Sequence, residues 1–154
     1  MSFEIVYKNG FRVCGLTAEL TSSQRENYII IQNHWKKFNS VLRNRKVILG
    51  PNWVKYGVVK KKNGKYSYMT AIPSNSDISG FDVEEIKPGR NMLFSHEGKM
   101  GLITATINDI YRVTIPNSGC TLDEGRTLIH YEQYDSRFNW GKPGSMIDII
   151  VPIV

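Results

Sequence analysis

The order strand, helix, hairpin occurs twice along this chain, over residues 1–79 and again over 80–154. Few folds accommodate such a repeat. Segment lengths match between the halves while residue identities hardly do, so what repeats is the periodicity. In the first half, residues 4–20 are rich in β-branched and aromatic side chains around a break at Asn9-Gly10, which reads as a hairpin turn or as a bulge in one long strand. The period then changes. Ser23-x-x-Glu26 is a capping box that opens a helix over residues 23–42. Tyr28, Ile31, Trp35, Phe38 and Leu42 follow at spacings of three and four, forming one apolar stripe with Arg25, Gln32, Lys36 and Lys37 off it. Residues 56–61 and 66–74 then alternate as strands around Asn63-Gly64, the pair that supplies the positive φ angles of a tight hairpin.

The second half repeats the pattern more faintly. Residues 81–86 and 91–96 read as strands, 102–115 as a helix punctuated by Pro116 and Gly119, and 128–135 and 146–154 as closing strands. The duplication predicts an α+β domain spanning residues 1–154, with β-α-β-β halves about a pseudo-two-fold axis. About eight mostly antiparallel strands would carry two long helices on one side. The seam between like halves would leave a concave space suited to a small ligand.

Charge and composition narrow the function. The net charge is +6, but the basic residues fall on a helix surface, a loop and the hairpin turn rather than along one track. Each half holds one isolated helix, with no recognition helix behind it. A helix-turn-helix therefore cannot be built, and specific DNA binding is not expected. The apolar stretch at 147–154 is broken by Asp148 and Pro152 and falls far short of the roughly 20 residues of a membrane span. Met1-Ser2-Phe3-Glu4 opens no basic-then-apolar leader, so a cytoplasmic location is expected. Cys14 and Cys120 read as buried thiols rather than a disulfide. His34, His96 and His130 have no metal spacing, so neither a zinc site nor a cofactor is expected.

The residue that most invites chemistry is Glu132. Strand parity groups Leu128, His130, Glu132 and Tyr134 on one face, and Thr127, Ile129, Tyr131 and Gln133 on the other. A carboxylate among such neighbours either faces solvent and pairs with Arg126 or a lysine, or sits in an aromatic pocket and meets a ligand's donor or positive charge. Tyr66 and Tyr68 share one strand face, with Tyr56 on the hairpin partner, and can pack as core or stack on a planar or cationic guest. No nucleophile constellation or phosphate loop stands out.

Taken in order, several segments resemble the GyrI-like small-molecule-binding family. In the first half these are Phe11-Arg12-Val13-Cys14-Gly15-Leu16, Trp35-Lys36-Lys37-Phe38, Tyr56-Gly57-Val58 and Tyr66-Ser67-Tyr68. Glu84-Glu85-Ile86-Lys87-Pro88-Gly89-Arg90-Asn91 is similar to the family's "hxIPxGxY", and Phe94-Ser95-His96-Glu97-Gly98 to "FxHxG". Pro116-Asn117-Ser118-Gly119 is similar to "LPxSGY", and Tyr131-Glu132-Gln133-Tyr134-Asp135-Ser136-Arg137-Phe138 to "hExYDxRF". The resemblance implies a duplicated fold whose halves share one pocket, as in the effector-binding domains of AraC- and MerR-type drug-sensing regulators. It places Glu132 on the pocket floor and Trp35, Tyr56 and Tyr68 on the walls, with Tyr111 and His96 as further candidates. Cys120, and Asn91-Met92, depart from aromatic positions of the family and put ligand identity in doubt.

The expected function is binding of a planar, hydrophobic and cationic small molecule by a stand-alone module. Two rivals remain: a hydrolase of electrophilic molecules with Glu132 as general base, and a factor acting on a protein partner, a regulator chain or gyrase.

Overall fold

A computed structural model describes residues 1–75 and 78–154. It contains β1 (Glu4–Lys8), β2 (Phe11–Glu19), α1 (Gln24–Asn44), β3 (Lys55–Lys62), β4 (Lys65–Pro73), β5 (Asp82–Ile86) and β6 (Gly89–Glu97). These are followed by α2 (Ile103–Asp109), α3 (Ile115–Ser118), β7 (Leu128–Tyr134) and β8 (Met146–Pro152). The fold is α+β, as expected. All strand pairs are antiparallel and form one eight-stranded sheet in the order β1-β6-β8-β7-β3-β4-β2-β5. Exchanging β1–β4 for β5–β8 turns this order into its own reverse.

The connectivity forces the sheet to curl. β1 lies at one edge of the sheet and β2 beside the other, yet only Asn9 and Gly10 separate them. Lys87 and Pro88 join β5 to β6 across the same gap. Links of that length span roughly 10 Å, so the two ends of the sheet must meet. Asn9-Gly10 is thus neither a hairpin turn nor a bulge. β1 pairs with β6, while β2 pairs with β4 and β5. A two-residue link between opposite ends of a sheet leaves no local signature that distinguishes it from a turn.

Curling divides the strands' side chains into two layers. The inward layer is apolar: Val13, Val58, Met69, Ala71, Ile86, Tyr131 and Ile150 are buried together, with Phe11 and Tyr56 packed against them. The other layer carries both helices. Phe38 and Leu42 of α1 bury against Cys14 of β2 and Ile72 of β4. Each such burial stabilises by about 1.5–3 kcal/mol. Ser23 caps α1 by accepting from the Glu26 amide at 3.2 Å. Ile103, Ile110 and Ile115 cover Met92 and Phe94 of β6 and Ile147, Ile149 and Val151 of β8.

The second helical run starts as a 3-10 turn (Met100–Leu102), continues through α2, widens to a π-turn (Ile110–Thr114) and ends as α3. It runs past the expected stop. Pro116 has no N–H for the carbonyl one α-turn earlier, and the π-turn before it accommodates the misfit. Gly119, at φ 78°, then ends the run. Asn63 and Gly64 have φ of 53° and 77°, as the tight turn between β3 and β4 requires.

The helices sit over the two wings of the sheet. Between them the central pair, β3 and β7, forms the floor of a cleft.

Candidate functional site

Glu132 stands on this floor opposite Gly57 of β3 and is 7% exposed. Its Oε1 accepts two hydrogen bonds, from the Tyr68 hydroxyl at 2.6 Å and the Tyr134 hydroxyl at 2.7 Å. The Tyr68 oxygen in turn accepts from Trp35 Nε1 at 3.0 Å. Trp35 also meets Tyr134 edge-on, with ring centroids 5.0 Å apart. These aromatic groups orient the carboxylate and take up one of its oxygens. Oε2 accepts no hydrogen bond among the described residues, and no fully buried polar side-chain atom lacks a partner there. Oε2 therefore opens onto the cavity.

Electrostatics follow from that geometry. Burial pushes the Glu132 carboxyl above the ordinary carboxylate range, and the two hydroxyl donors only partly offset it. Since both hydroxyls hold Oε1, a proton taken up by this group goes to Oε2. His130, on the same face, is buried, and burial lowers its pKa to about 4, leaving a neutral ring at pH 7. Its Nδ1 shares a hydrogen bond of 2.7 Å with the Tyr111 hydroxyl, and its Nε2 lies 3.9 Å from Glu132 Oε2. Tyr111 lies in the π-turn, which carries its ring towards β7. Burial and the Glu132 charge keep its hydroxyl protonated.

The cavity above has a volume of about 570 Å³. Tyr28, Ile31 and Trp35 of α1 form one wall, and Ile103, Ile107 and Tyr111 of the second helical run form the other. Val59, Ile129, His130, Glu132 and Tyr134 make the floor, and Trp53, Phe138 and Trp140 extend the aromatic lining. Among the described residues of this lining, Glu132 is the only carboxylate and Lys55 the only amine.

Of the residues singled out from sequence, Glu132, Trp35 and Tyr111 line this cavity. Tyr68 is wholly buried directly behind Glu132 and supports it. Tyr56 does not reach it. The β3–β4 register sets Tyr56 against Ala71 and Val59 against Tyr68, so an odd number of residues separates the two tyrosines in pleat and they face opposite sides. Tyr56 packs inside the curled sheet instead, 5.2 Å from Phe11 and 6.0 Å from Tyr131. His96 also lies elsewhere. Its Nδ1 meets Thr106 Oγ1 at 2.6 Å and its Nε2 the Lys99 carbonyl at 3.0 Å, tying β6 to the second helical run.

The parity expected for β7 also fails at one end. Val59 opposes His130 but Lys60 opposes Leu128, a bulge that skips Ile129. Leu128 consequently packs with the inward layer, while Ile129 joins His130 in the cavity.

Gly57 escaped the sequence reading. A methyl group there would lie 1.9 Å from the Tyr68 hydroxyl and 2.7 Å from Glu132 Oε1, so only glycine leaves room for that hydrogen bond. A glycine interrupting an otherwise β-branched strand is the sequence signal that marks such a close approach. Cys14 is buried, Cys120 half-buried, and no disulfide joins them. Among the described residues no group of His, Cys, Asp or Glu could hold a metal ion, and no helix is long and apolar enough to cross a membrane.

Comparison with known proteins places this geometry. The family model described as "GyrI-like small molecule binding domain" matches residues 1–154. Among solved structures, SAV2435 bound to tetraphenylphosphonium is similar at TM-score 0.81 and 15% identity, covering 100% of this chain and 94% of that one. The EcmrR C-terminal domain is similar at TM-score 0.63 and 12% identity, covering 99% and 97%. The integron cassette protein VCH_CASS2 from the mobile metagenome of Vibrio cholerae is similar at 0.71 and 18%, covering 99% and 95%. No curated protein matches in sequence.

Proposed function

The chain belongs to the GyrI-like small-molecule-binding family, and we propose that its cavity takes an aromatic, hydrophobic, cationic molecule whose charge rests on Glu132. The observation that carries this reading is the division of labour within one carboxylate. Oε1 is consumed by two tyrosine hydroxyls, and Oε2 is left facing an aromatic space. A purely structural glutamate would have both oxygens satisfied by the fold, since a buried acceptor without a partner costs about 1–3 kcal/mol. Rings along the walls add stacking and cation–π attraction for the same guest. The similar structure of SAV2435 was solved with a lipophilic cation, tetraphenylphosphonium.

Titration of the wild-type protein with tetraphenylphosphonium and with neutral triphenylphosphine oxide tests this directly. Glu132→Gln keeps the shape and a carbonyl acceptor but removes the charge. It should weaken the phosphonium on the order of ten-fold or more while changing the oxide little. Equal losses for the two compounds would make Glu132 structural.

The open, basic Oε2 also supports a second reading, in which Glu132 takes a proton from water attacking an electrophilic substrate. Turnover of a panel of electrophiles, abolished in Glu132→Gln, would favour catalysis. Binding without turnover would favour the first reading.

A further inference from the structure

Lys55 is the one amine among the described residues that line the cavity. Lys55 lies on the same face of β3 as Gly57, two residues along, and so roughly 7 Å from the level of Glu132. Its Nζ donates to Asn39 Oδ1 at 2.8 Å and sits 5.5 Å from the centroid of the Trp53 ring. That is one of three donors of an ammonium, and two remain. Among the described residues, no carboxylate comes within ion-pair distance of Lys55.

The surroundings add positive charge rather than removing it. A second cavity, of about 420 Å³, adjoins the first and shares Asn39, Trp53 and Lys55 with it. Its far side holds Arg43, one helical turn beyond Asn39 on α1 and likewise without an ion-pair partner among the described residues. Burial and the nearby Arg43 push the Lys55 amine below the ordinary lysine value. Arg43 itself is exposed, so water screens part of this repulsion, and an anion at Lys55 would be favoured by both positive charges.

We propose that Lys55, flanked by Asn39, Trp53 and Arg43, is a subsite for a carboxylate on the ligand. The molecule this cavity selects is then an aromatic zwitterion, its cation on Glu132 and its acid at Lys55. The proposal rests on the cation-binding reading above and narrows it. Steric fit alone would accept any aromatic lipophilic cation. The ammonium adds a second fixed point, which orients the guest along β3 and rewards an acid at one end.

Rhodamine B, zwitterionic at neutral pH, and its ethyl ester, a cation only, differ at the group in question. Fluorescence-anisotropy titrations should give tighter binding of the acid than of the ester to wild-type protein, by on the order of five-fold. Lys55→Met should bring the acid down to the level of the ester and leave the ester within about two-fold. Lys55→Arg, which keeps the charge, should retain the preference. Glu132→Gln should weaken both dyes by a similar factor.

An ester bound to wild type as tightly as the acid overturns the subsite and leaves the Glu132 reading standing. So does an acid preference unchanged in Lys55→Met. No saturable binding of either dye overturns both readings. The wild-type ratio needs no variant, so it decides even if Lys55→Met fails to fold.

Discussion

His130 illustrates how a single residue acquires its properties from enclosure. Nothing in its neighbours along β7 sets its charge state, yet the floor of the cleft seals it off and depresses its pKa from 6.5 to about 4. The sign of the consequence is determined. Between those values the unfolded chain binds a proton that the folded chain excludes, so this residue's contribution to stability is present above pH 6.5 and is lost as pH falls towards 4. The full difference corresponds to about 3 kcal/mol. Glu132, raised by the same burial, acts in the opposite sense over part of the range, because its folded form holds a proton longer. Comparison with His130→Gln isolates the histidine. Urea unfolding between pH 7 and 4 should show wild type losing its stability advantage over the variant as pH drops. A constant difference across that range would mean that the ring titrates in the fold as it does in the unfolded chain.

At the scale of elements, the site depends on close approach between strands. β3 runs between β4 and β7, and it is across Gly57 that Tyr68 of the one reaches Glu132 of the other. Gly57→Ala places a methyl where the Tyr68 hydroxyl now lies. The variant should lose about 2–3 kcal/mol in chemical denaturation, the cost of overpacking a filled interior, and lose phosphonium affinity with it. A fully stable Gly57→Ala protein would mean that Tyr68 has another place to go. The second helical run teaches a related lesson. Its π-turn answers a proline inside a helix, and it also supplies Tyr111 to the cleft wall. Both elements were readable from periodicity, but their fine geometry was not, because it answers contacts with distant segments.

For the whole molecule, the decisive fact is that the two halves share one sheet. β7 and β3 pair along the centre, and each half closes the other's edge through two-residue links. Neither half keeps its own sheet intact when the other leaves, so unfolding should be a single cooperative event. Trp35 and Trp53 report on the first half and Trp140 on the second. Single-tryptophan variants retaining Trp35 or Trp140 should give coincident urea transitions, matching far-UV circular dichroism. Separate midpoints would make the halves independent folding units.

What the sequence determined by itself was local: the capping box and stripe of α1, the Asn63-Gly64 turn, the repeated order of elements and the alternation along β7 that singled out Glu132. Each depends on neighbours within a few positions, whose spacing encodes which face is apolar. Tertiary structure alone decided which faces meet. It sent Tyr56 into the curled sheet and His96 under the second helical run, moved Ile129 into the cavity through a bulge, and brought Arg43 near Lys55 with no ion-pair partner for either among the described residues. Pleat parity is local, but the register between strands is set by packing over the whole sheet. A shift of one residue there exchanges cavity for core.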